Sequence, residues 1–235
     1  MLPPDLRQAE AQLGEALTIA LKSNGSGRWT IELRFEGLRL LPLGMRLAQA
    51  LKGEGMALRV LCPDAGATAL ARRDHPGLAA LISSLGDHHR LQQEAPESQE
   101  SGAHPLLLVV GPGPSDYELV EGVCTSHPGP VVLFNPSLED GAVGIGSVAR
   151  ARRKGFLAQW QVAYALQPFA NGALRRAYPG EWELYRLDPE GFRLAGAFPQ
   201  KPSSEEQAET LAGESPGGLK QQLRGLGDLI DNLQR

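Results

Sequence analysis

Asn135, Glu139 and Asp140 fall within six positions, directly after the apolar run Val131–Phe134. A turn containing Gly144 and Gly146 leads from them to Arg150, Arg152, Arg153 and Lys154. Buried strand, polar loop, glycines and then cations is the order in which α/β proteins place their sites. The three acceptor-rich side chains could bind a hydroxylated ligand, a divalent ion or the basic side chain of a partner. Arg150 and Arg153 are three apart and share one face if their segment is helical. Two arginines beside a glycine-rich turn suit a phosphate or carboxylate. The same residues also have plain structural uses. Asn135-Pro136 is an ordinary turn opening. Arg150 or Arg153 can pair with Asp64, Glu139 or Asp140 and pin the loop, or the cations can form a solvated face.

The other polar groupings are weaker. Asp64 closes the short apolar strand Ala57–Cys62 and also has the type and place of a helix N-cap. Gly111-Pro-Gly-Pro-Ser115 follows a buried strand and precedes a helix, a position that can hold phosphate. It is neither a dinucleotide fingerprint nor a Walker loop, and its prolines remove two N–H donors. Arg72-Arg73-Asp74 reads as a helix end with a surface ion pair. Tyr178 and Trp182, beside Arg175 and Arg176, could stack on a base but fit hairpin or core anchors better. His88 and His89 are adjacent and read as solvated loop histidines rather than metal ligands. No nucleophile elbow, HExxH motif or Ser/His/Asp set is present, so no catalytic residue can be named. No motif implies a cofactor or metal.

Composition bounds the class. The 235 residues are 42% hydrophobic and 21% charged, enough for one sizeable core. A net charge of −4 gives no basic field for nucleic acid. Cys62 and Cys124 are the two cysteines and fit a reducing compartment. No apolar run approaches the roughly 18–20 residues of a membrane span. The first residues have no leader pattern, so a cytoplasmic protein is expected.

The elements that must position these residues follow from periodicity. Leu6–Leu21 has helical spacing behind Asp5, and Trp29–Phe35 alternates as a strand with one wet face. Pro42–Leu51 and Ala67–Arg73 read as helices. Pro105–Val110 and Pro130–Phe134 read as strands covered on both faces. Ser115 and Glu118 have capping-box spacing before a helix to about Cys124. Residues 86–104 are polar and aperiodic, as in a mobile surface insertion. From Phe156 alternation suggests strands joined by turns at Asn171-Gly172 and Asp188–Gly191, an antiparallel meander. Residues 199–217 read as a flexible linker and 218–235 as an amphipathic helix.

Several blocks come in an order that resembles one family. They are Leu2-Pro-Pro-Asp-Leu6, Ile31-Glu-Leu33, Asp64–Asp74, Asn135–Asp140, Val143–Gly146 with Arg150 and Arg153, and Tyr178-Pro-Gly-Glu-Trp182. The chain is similar over residues 2–198 to a domain-of-unknown-function family of cyanobacteria and chloroplasts. That family includes the third "low photosystem II accumulation" chloroplast protein and the extra domain of a chloroplast adenylate kinase. His75 stands where the family tends to have tryptophan. The resemblance implies an oxygenic phototroph and a factor linked to photosystem II assembly, with a protein partner and peripheral association with the thylakoid. It supplies no catalytic residue.

The expected fold is α/β. A parallel, Rossmann-like core sheet flanked by helices is extended by an antiparallel meander, in one domain over 1–198. Two functions are open. One is a non-enzymatic assembly or interaction factor. The other is an enzyme or sensor for a phosphorylated metabolite or nucleotide, bound at the C-terminal edge of the sheet by Asp64, Asn135, Glu139, Asp140, Gly144, Gly146, Arg150 and Arg153.

Overall fold

Leu106–Val110 (β4) and Val131–Phe134 (β5) are apolar at every position, and every residue of both is buried. A strand can be apolar throughout only where both faces are covered. The structure, a computed structural model describing residues 1–94, 104–138 and 147–213, covers both. Contacts divide the chain into two compact units. Of the described residues, one comprises those within 1–167 together with 176–180, the other 168–175 together with 181–213.

The first unit carries a sheet of six parallel strands in the order β3-β2-β4-β5-β1-β6. Its other members are β1 (Arg28–Leu33), β2 (Leu58–Cys62), β3 (Ile82–Ser84) and β6 (Gln161–Phe169). Among the described residues six α-helices accompany them: α1 (Leu6–Ser23), α2 (Leu40–Gly53), α3 (Ala65–Asp74), α4 (Leu85–Glu94), α5 (Tyr117–Ser126) and α6 (Ser147–Leu157). Alternation along β4 builds two cores. Leu106, Leu108 and Val110 join the cluster with α1, α2 and α3, while Leu107 and Val109 join the one with α5, Leu85 and Phe156. The chain moves outward from β1 to β3 with its helices on one face, then returns to β6 with α4, α5 and α6 on the other. Right-handed crossovers require that division. At Gly44 a Cβ would stand 2.8 Å from both methyl carbons of Val110, so α2 lies against β4 with no room for a side chain.

The second unit holds antiparallel strands. β7 (Gly172–Ala177) and β8 (Trp182–Asp188) are followed by β9 (Gly191–Phe198), which pairs with β8 from Trp182↔Phe198 to Asp188↔Gly191. Trp182, Leu184 and Tyr185 are buried, as are Ala173 and Leu174. Arg175 donates to Glu183 at 2.6 Å, and the Tyr185 hydroxyl donates to the same Oε2 at 2.8 Å. Burial alone would raise the Glu183 carboxyl, but those two donors hold it below the usual range. Burial and the bond to Glu183 push the Tyr185 phenol up to about 12.

The α/β class and the mostly parallel sheet followed by antiparallel strands are as expected. Several elements differ. Phe156, Ala158 and Trp160 belong to α6 and the turn after it, not to a strand, and the strand that follows, β6, runs parallel to β1. Thr30 is buried, while Glu32 on the same face is half-buried and Arg34 just beyond the strand is exposed, so that face of β1 is wet only toward its end. The polar stretch from 86 opens as helix α4, where His88 is buried rather than solvated; residues 95–103 lie outside the described residues. Within the expected linker, Ser204–Gly213 is a helix, α7. The expected terminal helix lies outside the described residues. Asp116, not Ser115, caps the approach to α5: it accepts from the Gly113 N–H at 2.7 Å.

Leu107 is fully buried at the centre of the sheet. Leu107→Ala is expected to cost about 2–5 kcal/mol in urea denaturation; a loss near zero would contradict this packing. Tyr185 gives a pH signature. A phenol whose pKa is raised on folding adds stability that is whole below its unfolded value. For Tyr185 that value is 10.0, and the contribution is lost as pH rises through about 12. Wild type should therefore lose more stability across that window than Tyr185→Phe, and parallel curves would refute the assignment.

Candidate functional site

Because the six strands are parallel, Cys62, Val110, Phe134 and Leu33 all end at one edge of the sheet, where open α/β sheets bind ligands. The chain leaves β2 for the face carrying α3 and leaves β4 for the face carrying α5. The residues at that divergence are Asp64 and the Gly111–Gly113 turn. Gly111 has φ +62, a left-handed conformation that glycine adopts without strain. Its N–H donates to the Phe134 carbonyl at 2.8 Å.

Asp64 is an N-cap. Its Oδ1 accepts from the Ala67 N–H at 2.7 Å. That bond satisfies a donor that the first turn of α3 would otherwise leave open. Nearby, burial pushes the Cys62 thiol up, which makes it a poor nucleophile. Burial likewise pushes Cys124 up to about 12.

Asn135 is 6% exposed and has φ +51, a left-handed backbone rare outside glycine. Its own N–H continues the ladder to the Ile31 carbonyl at 2.7 Å. The next rung of a parallel ladder would use its backbone carbonyl, but the left-handed turn carries that group away. The side chain substitutes for it. Oδ1 accepts from Leu33 N–H at 2.6 Å, and Nδ2 donates to Leu33 O at 2.5 Å. Arg34 adds a further tie, donating from Nη2 to the Pro136 carbonyl at 2.9 Å. Both ends of the Asn135 carboxamide thus go into joining the ends of β1 and β5.

Arg153 lies in α6 with its guanidinium carbon 4.0 Å from the centre of the Tyr117 ring, a cation–π contact. Its Nε and Nη1 are buried and have no hydrogen-bond partner among the described residues. Arg150 is in the same helix, its side chain outside the described residues, as are Glu139, Asp140, Gly144 and Gly146. The structure therefore brings Asp64 and Asn135 to one edge; the scaffold takes both ends of the Asn135 carboxamide, while Asp64 is exposed and uses Oδ1 as a helix cap. Of the weaker groupings, Arg73 pairs with Asp74 at 2.7 Å and Arg72 donates to the Ile82 carbonyl. Tyr178 packs edge-on to Trp29 at 4.9 Å and Trp182 is buried, so both are anchors. Among the described residues no three His, Cys, Asp or Glu side chains are grouped to hold a metal. No described helix is long and apolar enough to cross a membrane.

The same edge also carries a feature that the sequence reading passed over. The loop after β1, with the N-terminal arm and the first turns of α2, lines a cavity of about 700 Å³ that reaches Leu166. Phe35, Arg39 and Arg46 line it. The available signal was the position of β1 in a parallel sheet, since the loop after it must open on the same side as Asn135.

Residues 3–209 match the model of a family described as a domain of unknown function, DUF1995. The chain belongs to that family. No curated protein matches it. The DUF1995 match spans both the parallel sheet and the antiparallel strands and runs through most of α7. It therefore takes in the Asp64 cap, the Asn135 tie and the Tyr178 and Trp182 anchors.

Asn135→Ala loses both bonds to Leu33 and keeps a Cβ in a left-handed turn without the side chain that compensates for it. Two buried backbone groups left unpaired cost about 1–3 kcal/mol each, and the turn adds about 1–2 kcal/mol. Asn135→Gly relieves the turn and should lie between wild type and alanine in thermal unfolding. An alanine variant as stable as wild type would disprove the role.

Proposed function

We propose that this DUF1995 protein is a non-enzymatic interaction factor that acts on a photosystem II assembly intermediate in an oxygenic phototroph, at the thylakoid surface. The observation that carries a protein-binding role is an apolar row on the β8–β9 hairpin. Leu187 and Phe192 are directly paired, Leu194 follows two residues along, and these three are 46%, 49% and 50% exposed. Large apolar side chains exposed side by side on a strand pair mark an interaction surface. The sheet edge supports the same reading from the other direction, because both ends of the Asn135 carboxamide are bonded to the backbone of Leu33. The link to photosystem II and the thylakoid rests on the resemblance to the family of the chloroplast accumulation factor.

A second reading keeps the phosphorylated-metabolite sensor or enzyme, and Arg153 favours it. Its Nε and Nη1 are buried without a partner among the described residues, which is unusual in folded proteins, and a phosphate would satisfy them. Calorimetric titration with phosphate, ATP and a sugar phosphate separates the readings. Binding lost in Arg150→Ala and Arg153→Ala supports the sensor, and silence at millimolar ligand removes it.

The interaction role is tested in a phototroph lacking the gene. Complementation with wild type should restore photosystem II accumulation. Phe192→Glu with Leu194→Glu, both at exposed positions, should accumulate as a folded protein and fail to restore it. Full restoration by that double variant would overturn the assigned surface.

A further inference from the structure

We propose that the cavity after β1 binds a small amphiphile with one anionic head group, held as a monomer between the N-terminal arm and α2. The cavity shares no lining residue with the hairpin row, and neither Asp64 nor Asn135 lines it. Its volume of about 700 Å³ is in the range of small-molecule sites. Eight of the thirteen lining residues are apolar, among them Pro3, Leu6, Phe35, Leu38 and Pro42. A wall of that kind takes an apolar body rather than a sugar or a nucleotide.

Two arginines set the charge of the head group. Arg46 is already held by Glu10 through Nε at 3.0 Å and Nη2 at 2.6 Å, so its position is fixed while its charge is largely answered. Arg39 is exposed and has no ion pair or side-chain hydrogen bond among the described residues. It stands at the N-cap of α2 and gives that helix no side-chain cap. The first turn of α2 therefore adds partial positive charge beside a free guanidinium, and both favour an anion. Two carboxylates share the lining. Asp5 is engaged as the cap of α1, accepting from the Gln8 N–H at 2.8 Å. Glu36 is exposed and opposes an anion. The site is thus a cation and a helix start, one uncommitted carboxylate against them, and apolar walls beside both.

Decyl phosphate, decanol and inorganic phosphate, titrated calorimetrically into the full chain, test each part. Decyl phosphate should bind. Decanol, lacking the charge, and inorganic phosphate, lacking the body, should each bind at least about tenfold more weakly, the loss expected for one charge-assisted hydrogen bond or a few buried methylenes. Arg39→Gln should weaken decyl phosphate by a similar factor at unchanged melting temperature, and Glu36→Gln should tighten it. Leu6→Gln, at a position 40% exposed, is a second probe of the apolar wall and should weaken both decyl compounds. Absence of decyl phosphate binding at millimolar concentration, or binding indifferent to Arg39→Gln and Leu6→Gln, overturns the proposal. Binding only to anionic lipid vesicles also overturns it, since that would make the arginines a membrane contact and not a monomer site.

Discussion

The side chain of Asn135 is bonded twice to the backbone of Leu33, and the carboxyl edge of the sheet depends on that pair of bonds. β1 is the strand between β5 and β6, so an opening at its end would expose unpaired backbone groups in the middle of the sheet. The chain must also turn sharply after β5 to reach α6. A left-handed residue achieves the turn but removes a backbone carbonyl from the ladder. Asparagine answers both demands, since it tolerates that conformation and its carboxamide carries donor and acceptor together, as a peptide does.

At that edge the polar residues divide by use. Asp64 starts α3, Asp116 holds the Gly111–Gly113 turn, and Asn135 closes the ladder. Each satisfies backbone groups at a helix start, a turn or a strand end, which is why acceptor-rich residues gather at strand ends without a ligand. Arg39 and Arg153 are different. The described residues give no hydrogen-bond partner to the Arg39 side chain or to Nε and Nη1 of Arg153. One cation stands beside an apolar cavity and the other over an aromatic ring. Both proposed binding sites at this end rest on arginines, while the carboxamide of Asn135 is taken up by the backbone of Leu33.

The central strands were legible in the sequence because burial on both faces leaves no polar position to confuse the pattern. β3 is three residues long, too short for periodicity to register. Alternation after Gly155 is the same for a parallel and an antiparallel strand, so the direction of β6 could not be read from it. Helices α4 and α7 are mostly polar, and composition outweighed their capping signals. Those signals were present: Asp87 N–H donates to Ser84 Oγ at 3.1 Å, and Ser203 and Glu206 bond reciprocally, the pattern of a capping box. Asp64 was readable as a cap because its partner is three residues away. The partner of Asn135 is 102 residues away, and only the strand order β5-β1 reveals it.

The Leu33 amide has a side chain as its hydrogen-bond acceptor, and its hydrogen exchange measures directly whether that bond persists. Nuclear magnetic resonance of the native protein follows it beside its neighbours in the sheet. A rung of the ladder should exchange only with the large-scale opening that also releases Ile31 and Val132. If the Leu33 amide instead exchanges at the rate of an open loop while Ile31 stays protected, Asn135 does not close the sheet, and its carboxamide would again be free for a ligand.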